Sequence, residues 1–390
     1  MGGSLKLFTW FGIPVHVHWT FGFIFVYILW IGFASNLDAI GTVWLVGYFM
    51  ALFTCVLLHE YGHALTARRY GVKTQDIILT PIGGIARLER MPEKPLQEFL
   101  VAIAGPMVNV VIAILLFGLG KLLFTGDHWS VFTWFLENPP LFNSDEEHTE
   151  DLIRESGIPL TGILFYMPLL LLTNIVLVIF NLIPAFPMDG GRIFRSLLAM
   201  RIGRVRATQI ATWVGQGIAV LFILAGLTGY GGASITLALI GFFVFVTART
   251  ENSMVRLDDL LRRFKAHDLM RPQFTRLNMN DWMQTPIALL QQGLERHFLV
   301  FDMNNEQLSG MLEESDILSA LKKRDFSAEI SQYATTPAKV VSLEQDLQYV
   351  YQFLQQRGLG IVGVVNDGEL VGVIDQAGVQ NFLRMQSMTG

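Results

Sequence analysis

Long apolar segments restrict what this chain can fold into. An α-helix needs about 20 apolar residues to cross a bilayer, and the sequence offers six candidate segments, of which the last is short. They are Val15 to Ala34, Val43 to Leu65, Phe99 to Phe124, Ile163 to Ile183, Ile210 to Leu227 and Ile235 to Thr247. Only 16% of the 390 residues are charged, against roughly 25% in soluble domains. The sequence therefore predicts a polytopic α-helical membrane protein with about six transmembrane helices.

Lysine and arginine are concentrated in alternate loops, and this pattern predicts the orientation in the membrane. Six of these residues lie between the second and third segments, five between the fourth and fifth, and five more within residues 249–265. The loop from Phe124 to Leu160 has one basic residue, Arg154, and eight acidic ones. Because basic loops stay on the cytoplasmic side, we expect both termini to be cytoplasmic. We further expect the membrane to be a prokaryotic plasma membrane.

The second segment carries the pattern H-E-x-x-H, from His59 to His63. Residues four apart share one face of a helix, so both imidazoles can face the same ion, and neutral imidazole is a good zinc ligand. In zinc peptidases the glutamate of this pattern, here Glu60, takes the proton from the reacting water. The alternative is a helix that carries two histidines by chance. The apolar run from Tyr48 to Leu58 disfavours it, because ionisable groups at membrane depth are costly unless they have a function.

A third ligand is needed, because catalytic zinc usually has three protein ligands and one open position. The best buried carboxylate is Asp189, in a stretch after the fourth segment that two prolines and two glycines interrupt. The alternative is that Asp189 caps the following helix by accepting hydrogen bonds from its first N–H groups. The single cysteine, Cys55, excludes an intramolecular disulfide and a cysteine-rich zinc site. We expect it to be a small core residue, with metal binding as the minor alternative.

Two further features lie near these residues in the predicted fold. Asn109 is a lone amide in the apolar third segment, and it could either bond a neighbouring helix or help to hold the reacting water or the substrate. The stretch from Ile77 to Ala86 is apolar, too short to span, and broken by proline and glycine, which predicts a hairpin. Irregular backbone at membrane depth must be buried in protein or face a watery cavity. We therefore expect this hairpin near the metal, with an amphipathic surface hairpin as the alternative.

Three motifs together resemble those of a known family. The sequences HEYGH at 59–63, GPMVN at 105–109 and NLIPAFPMDGG at 181–191 are similar to the site-2 protease family of intramembrane zinc metalloproteases. The resemblance covers about residues 8 to 250. It implies that Ile77 to Leu88 is a membrane-associated β-hairpin that pairs with an extended substrate, and that the substrates are single-span membrane proteins cut within their transmembrane segments. It also implies these site residues: His59, His63 and Asp189 as ligands of one Zn²⁺ ion, Glu60 as the catalytic base, and Asn109 and Asn181 near the site.

Two other functions compete with a zinc metalloendopeptidase. A metal transporter also buries histidines and carboxylates, but it needs acidic residues along a path through several spans. The first, fifth and sixth segments have no such line of residues. A catalytically inactive membrane scaffold would leave the function to the C-terminal region, and the intact zinc motifs argue against it.

From about Glu251 the charge rises and the long apolar runs stop, which predicts a soluble α/β region. It holds two similar halves, each with two short strands across a turn and then a helix; the strands are at 298–302 and 308–312, and at 360–365 and 370–374. This repeat resembles a pair of CBS domains. We therefore expect an intramembrane protease domain at 1–250 and a cytoplasmic CBS pair at 251–390, divided into about 260–325 and 330–388.

CBS pairs in general can bind adenine nucleotides, and the usual signature after the second strand is Gly-apolar-x-Ser/Thr-x-x-Asp. Here Glu313 takes the hydroxyl position in the first half, while Asp375 and Gly378 replace the hydroxyl and the carboxylate in the second. Because acidic side chains repel phosphate, we expect a structural or protein-docking pair in preference to a nucleotide sensor. A homodimer formed through these domains is a further hypothesis. The net charge of −5 gives no indication of nucleic-acid binding.

Overall fold

A computed structural model describes residues 3–81, 83–89, 91–92, 94–137, 162–229, 235–302, 307–334 and 336–389. The chain divides into two units, Met1–Ser253 and Met254–Gly390. The helices that begin in the first unit are α1 (Gly22–Ala34), α2 (Ala39–Arg69), α3 (Pro95–Leu123), α4 (Asp127–Glu137), α5 (Ile163–Leu182), α6 (Asp189–Ile202), α7 (Arg204–Thr228) and α8 (Ile235–Arg262).

Five of these helices, α2, α3, α5, α7 and α8, are long and apolar enough to cross a membrane. They confirm five of the six predicted spans. The first predicted span differs, because residues 15–18 lie in a strand and the apolar helical segment is only Trp19–Ala34. At about 1.5 Å per residue this segment is roughly 24 Å long, less than the bilayer core of about 30 Å. The strand forms because apolar and polar side chains alternate from Ile13 to His18, the period of a half-buried strand.

The strands of the first unit form one sheet beside α2. They are β1 (Ser4–Trp10), β2 (Ile13–His18), β3 (Thr74–Thr80) and β4 (Gly83–Leu88), in that spatial order. The predicted hairpin is confirmed as β3 and β4, which pair antiparallel. Since β3 also pairs in parallel with β2, the hairpin is held by the N-terminal strands and β4 lies at one edge of the sheet.

A shared apolar core fixes this sheet against the helix that carries H-E-x-x-H. Ile13, Val15 and Ile77 of the sheet are buried together with Leu57 and Tyr61 of α2. These two α2 residues flank the first histidine of the motif in sequence. The core therefore places the hairpin directly beside the predicted metal ligands.

A polar cluster links strands β2, β3 and β4. His16 Nδ1 of β2 lies 2.9 Å from Asp76 Oδ2 of β3, and Arg87 Nε of β4 donates to Asp76 Oδ1 at 2.5 Å. The Arg87 guanidinium, with a contribution from His16, holds the pKa of the Asp76 carboxyl below its usual value. The carboxylate therefore stays ionised and ties β3 to both of its neighbours.

Polar contacts also show which segments meet at the basic end of α2. Arg68 donates to the carbonyl oxygen of Phe11 at 2.7 Å, which places the N-terminal strands there. At the start of α3, Glu98 pairs with Arg195 of α6, and Arg195 also pairs with Glu251 of α8. Because the hairpin between α2 and α3 is short, the N-terminal strands and residue 251 lie at the same end of the helical bundle.

The acidic loop predicted from Phe124 to Leu160 is described only in part. Its first third contains α4, a helix that the sequence analysis did not predict. Residues 138–161 lie outside the described residues.

The second unit contains two three-stranded sheets. The first consists of β5 (Arg276–Asn278), β6 (Phe298–Phe301) and β7 (Leu308–Leu312), with α10 (Gln284–Gln291) and α11 (Glu314–Lys323) after a short α9 (Ala266–Leu269). The second consists of β8 (Val340–Ser342), β9 (Ile361–Asn366) and β10 (Glu369–Asp375), with α12 (Leu347–Arg357) and α13 (Gln376–Thr389). Each sheet has one parallel and one antiparallel pairing. The shared order of strand, helix, two strands and helix confirms the predicted pair of CBS domains, while the first strand of each half was not predicted.

Candidate metal centre

Three buried side chains converge between α2 and α6. His59 Nε2 and His63 Nε2 are 3.1 Å apart, and Asp189 Oδ2 lies 3.2 Å from the first and 3.1 Å from the second. The two histidines share a face because α2 is helical throughout the motif and they are four residues apart. Each of the three residues is 7% exposed. Among the described residues, these are the histidine, cysteine and acidic side chains that lie close enough together, in a group of three or more, to hold a metal ion.

Asp189 reaches the histidines because the chain reverses sharply between α5 and α6. α5 ends at Leu182 and α6 begins at Asp189 itself. Met188 is the N-cap residue, and the Asp189 carboxylate contacts both imidazoles. The alternative in which Asp189 caps α6 with its side chain is therefore wrong. Its place in the first turn of α6 still favours a negative charge, because the N-terminal end of a helix dipole is positive.

Hydrogen bonds on the far side of each ring determine which nitrogen faces the centre. His63 Nδ1 lies 2.7 Å from the backbone carbonyl oxygen of Val101, and His59 Nδ1 lies 2.7 Å from Asn109 Oδ1. A carbonyl oxygen can only accept, so each Nδ1 carries the ring proton and donates it. Both Nε2 atoms therefore present lone pairs to the centre, as a metal-ligating histidine does.

This set of donor atoms fits a zinc ion. Two nitrogen lone pairs and a carboxylate oxygen within 3.2 Å of one another repel unless a cation lies among them. Zinc–ligand distances of about 2.0–2.1 Å in a tetrahedral site put the ligand atoms about 3.3–3.4 Å apart. The observed separations are slightly below that value, so a small outward shift of the side chains is enough to accommodate the ion.

Gly105 of α3 keeps the space around these atoms open. A Cβ atom built on Gly105 would lie 2.2 Å from His63 Nε2 and 2.7 Å from His59 Nε2. Real Cβ atoms do not approach other heavy atoms so closely. One wall of the centre is therefore bare backbone of α3.

The centre opens onto a cavity of about 680 Å³. Glu60 lies on the cavity wall, and its Oε2 accepts a hydrogen bond from the backbone N–H of Ala86 in β4 at 2.9 Å. Asn181 and Arg192 add polar groups to the wall, and much of the remainder is apolar side chain such as Phe180. The cavity thus joins the metal centre, the predicted base and the outer strand of the sheet.

The structure brings five of the six predicted site residues to this cavity and places the sixth behind it. The five are His59, Glu60, His63, Asn181 and Asp189. Asn109 is 0% exposed and bonds the ring of His59. This position agrees with the alternative in which Asn109 bonds a neighbouring helix, and it keeps the amide away from water and substrate in the cavity. Cys55 is buried in the core, as predicted.

Three residues that contact the histidines, directly or through one partner, were missed by the sequence analysis. They are Val101, Gly105 and Asn174. Val101 acts through its backbone, which no side-chain pattern reveals. The other two left signals: Gly105 opens the GPMVN motif, and Asn174 is a second lone amide, placed in the apolar α5.

Comparison with known proteins identifies the family. The sequence model of peptidase family M50 matches residues 47–225. A zinc metalloprotease of Methanocaldococcus jannaschii is 30% identical over 384 residues, which cover 97% of this chain and 96% of that protein. The chain belongs to peptidase family M50. It is accordingly a zinc metalloprotease with several membrane spans, and the predicted site-2 protease family, enzyme class and zinc cofactor are confirmed.

Two further similarities extend over much of the chain. A protein of Synechocystis sp. that carries zinc metalloprotease in its name is 28% identical over 403 residues, which cover 98% of this chain and 96% of that protein. The solved structure of a site-2 protease from Methanocaldococcus jannaschii is 33% identical, covers 64% of this chain and 95% of the solved chain, and gives a TM-score of 0.41.

Proposed function

We propose that this M50 metalloprotease cuts the transmembrane segments of single-span membrane proteins, with His59, His63 and Asp189 as the ligands of one Zn²⁺ ion and Glu60 as the base. The observation that carries the proposal is the near-equilateral triangle of His59 Nε2, His63 Nε2 and Asp189 Oδ2, with sides of 3.1–3.2 Å. It opens onto the same cavity as the Glu60 carboxylate. The domain proposed for this activity is residues 1–250.

Glu60, Asn181 and Asn109 have separate parts in the proposed peptide hydrolysis. Bound zinc supplies Lewis-acid chemistry that activates water and polarises a carbonyl group. Glu60 accepts the proton of the attacking water, because it is the carboxylate on the cavity wall next to the ligands. The Asn181 amide can donate to the developing oxyanion or to the substrate backbone. Asn109 orients His59 from behind through its contact with Nδ1.

The hairpin is placed to hold the substrate in an extended form. A transmembrane helix hides its carbonyl groups in its own hydrogen bonds, so it must unwind before hydrolysis. β4 is the outer strand of its sheet, and an outer strand can pair with an added peptide strand. Ala86 N–H points out of the sheet to Glu60, and a Cβ on Gly84 would lie 2.6 Å from Glu60 Cγ. A peptide on this edge would therefore lie beside the base.

Replacing Asp189 with alanine tests the ligand set. We expect Asp189→Ala to lower zinc content and proteolysis together, because losing one of three proposed ligands should weaken zinc binding by at least the roughly 10–100-fold that losing a contact to a ligand costs. The matched control is Asp38→Ala, since Asp38 is the N-cap of α2 and accepts from Gly41 N–H at 2.7 Å. That variant should lose about 1 kcal/mol of stability and keep its zinc. If Asp189→Ala behaves like Asp38→Ala, the ligand role is wrong.

Both termini are proposed to be cytoplasmic, in a prokaryotic plasma membrane. The N-terminal strands and residue 251 lie at the end of the bundle that holds Arg68 and Glu98, and the loops at this end are rich in basic residues. Along α2, His59 is about 15 Å from the basic end at 1.5 Å per residue, so water reaches the centre most easily from that side.

Reporter fusions test this orientation. Reporters after residue 390 and near Lys94 should give cytoplasmic signals, and a reporter at residues 143–151, outside the described residues, should give an external signal. A reporter at 143–151 on the same side as residue 390 would contradict the assignment.

The CBS pair at 251–390 is proposed to serve regulation by docking or structural support, without binding nucleotide. Two of its three departures from the nucleotide signature are acidic side chains, and both already have partners within the protein. Glu313 Oε2 lies 2.7 Å from His297 Nδ1 and accepts from the Gly360 N–H at 3.1 Å. Asp375 pairs with Arg271 at 2.6 Å. A phosphate group would have to displace these contacts and also face the two carboxylates.

Calorimetry with the full-length protein tests whether the CBS pair binds ATP. We expect no saturable ATP binding below about 1 mM, which corresponds to a binding free energy weaker than about −4 kcal/mol. Glu313→Ser restores the signature of the first half and should strengthen binding if the carboxylate is the obstacle. Tight binding of ATP by the unmodified protein would make the pair a nucleotide sensor. Dimerisation through this pair stays a hypothesis.

A further inference from the structure

A chain of hydrogen bonds leads from His59 across three helices. His59 Nδ1 of α2 lies 2.7 Å from Asn109 Oδ1 of α3. Asn109 Nδ2 donates to Asn174 Oδ1 of α5 at 2.9 Å, and Asn174 Nδ2 donates to the backbone carbonyl oxygen of Leu170 at 2.9 Å. Both asparagines are 0% exposed. Two amides are thus buried in an apolar bundle, on the side of His59 that faces away from the cavity.

The Leu170 carbonyl gives this chain its direction. A backbone carbonyl oxygen only accepts hydrogen bonds, so the Asn174 group that faces it must be the NH₂. The Asn174 side-chain oxygen then faces Asn109, so Asn109 must donate a hydrogen bond to it from its own NH₂ group. The Asn109 oxygen is consequently directed at His59, and His59 Nδ1 must donate. His59 Nε2 is left with its lone pair free for the metal.

We propose that Asn174 is a positioning residue that fixes the metal-binding tautomer of His59 through Asn109. The proposal rests on the ligand role of His59 proposed above. An amide rotated by 180° has nearly the same shape, so Asn109 alone cannot define its own orientation. Without Asn174, the Asn109 NH₂ can turn to His59 Nδ1. The ring proton then moves to Nε2, and that nitrogen can no longer bind zinc.

Asn174→Leu tests the proposal, because leucine keeps the volume and removes the amide's hydrogen bonds to Asn109, to the Leu170 carbonyl and to Cys55 Sγ. Outer contacts of this kind change metal affinity by about 10–100-fold, and we expect a loss of zinc affinity in that range, measured by chelator competition on purified full-length protein. The matched control is Thr173→Val. Thr173 also joins α5 to α2, through a 2.9 Å hydrogen bond to Tyr48, but it has no link to His59. Its zinc affinity should equal that of the unmodified protein.

A second substitution separates orientation from general loss of packing. Adding Asn109→Asp to Asn174→Leu gives His59 an ionised carboxylate as its partner. Both carboxylate oxygens can only accept, so the orientation of residue 109 no longer matters. Zinc affinity of the double variant should return to within about threefold of the unmodified protein, whereas Asn174→Leu alone should lose about 10–100-fold. If Asn174→Leu does not purify as a folded protein, Asn174→Ser takes its place under the same expectations, since serine cannot reach Asn109.

The outcomes distinguish this inference from the proposed function. Zinc binding that is lost in His59→Ala and unchanged in the folded Asn174 variant overturns the positioning role alone. Failure of Asn109→Asp to restore zinc affinity to the folded variant also overturns it. Zinc retained by His59→Ala overturns the proposed ligand set itself.

Discussion

Replacing Glu60 with glutamine is expected to lower the rate of peptide cleavage by about 10²–10⁴-fold, the usual contribution of a general base. Glutamine has the same size but cannot accept the proton of the attacking water. Its side-chain oxygen can still accept from the Ala86 N–H, the bond that Glu60 makes at 2.9 Å, so the hairpin should keep its place. The three proposed metal ligands are untouched, and the variant should retain one zinc ion per chain.

The measurement compares cleavage and zinc content of the purified Glu60→Gln protein with those of Glu89→Gln. Glu89 is an exposed acid just beyond β4, and its replacement should leave both quantities unchanged. Cleavage at the normal rate by zinc-loaded Glu60→Gln protein would show that another group accepts the proton.

Adding a single methyl group at Gly105 is expected to abolish zinc binding and proteolysis. In Gly105→Ala the new Cβ would lie 2.2 Å from His63 Nε2 and 2.7 Å from His59 Nε2, so the rings or α3 must move. Alanine is favoured over glycine within a helix by about 1 kcal/mol. Helix propensity alone therefore predicts a more stable protein. A loss of zinc binding and proteolysis can then be attributed to the contact of the new methyl group with the imidazoles.

Gly118→Ala is the matched control, because Gly118 lies on the same helix and a Cβ there would meet nothing within 4 Å. We expect this variant to keep its zinc and its activity, and its thermal unfolding temperature should be no lower than that of the unmodified protein, because alanine favours the helix. The comparison uses metal analysis and substrate cleavage on both purified variants. Normal zinc content in Gly105→Ala would mean that the histidines do not meet at this wall.

The spacing of residues predicted those parts of the site that one helix supplies. In α2 the positions of His59, Glu60 and His63 follow from helical periodicity alone. Asp189 is 126 residues beyond His63, and it was found only because proline and glycine break an apolar segment around a carboxylate. The sequence left its role open between ligand and helix cap, and the contact of its carboxylate with both rings supports the proposed ligand role.

Contacts between helices could not be predicted in the same way. Gly105 and Asn174 meet the histidines or their partner through the packing of α3 and α5 on α2, which depends on crossing angles and close approach. Arg195 was counted among the basic loop residues, yet it is 1% exposed and pairs with Glu98 and Glu251. A count of charges does not reveal which of them find partners inside the protein.

The first predicted span shows the limit of apolar length as a signal. A run from Val15 to Ala34 is apolar enough to suggest one helix, but its first part alternates valine and histidine. That period of two is typical of a strand, and these residues form part of β2, which pairs with β3. Mean hydropathy over a window does not reveal this period, because an average discards the order of the residues.

Mapping the cleavage site in a reconstituted single-span substrate is the most direct test of intramembrane zinc proteolysis. The purified protein is stripped of metal with a chelator, reloaded with one equivalent of zinc, and both product fragments are sequenced by mass spectrometry. We expect a cut inside the transmembrane segment that disappears on stripping and returns with zinc. A cut confined to the soluble parts of the substrate, or cleavage that persists after the metal is removed, would contradict the assignment.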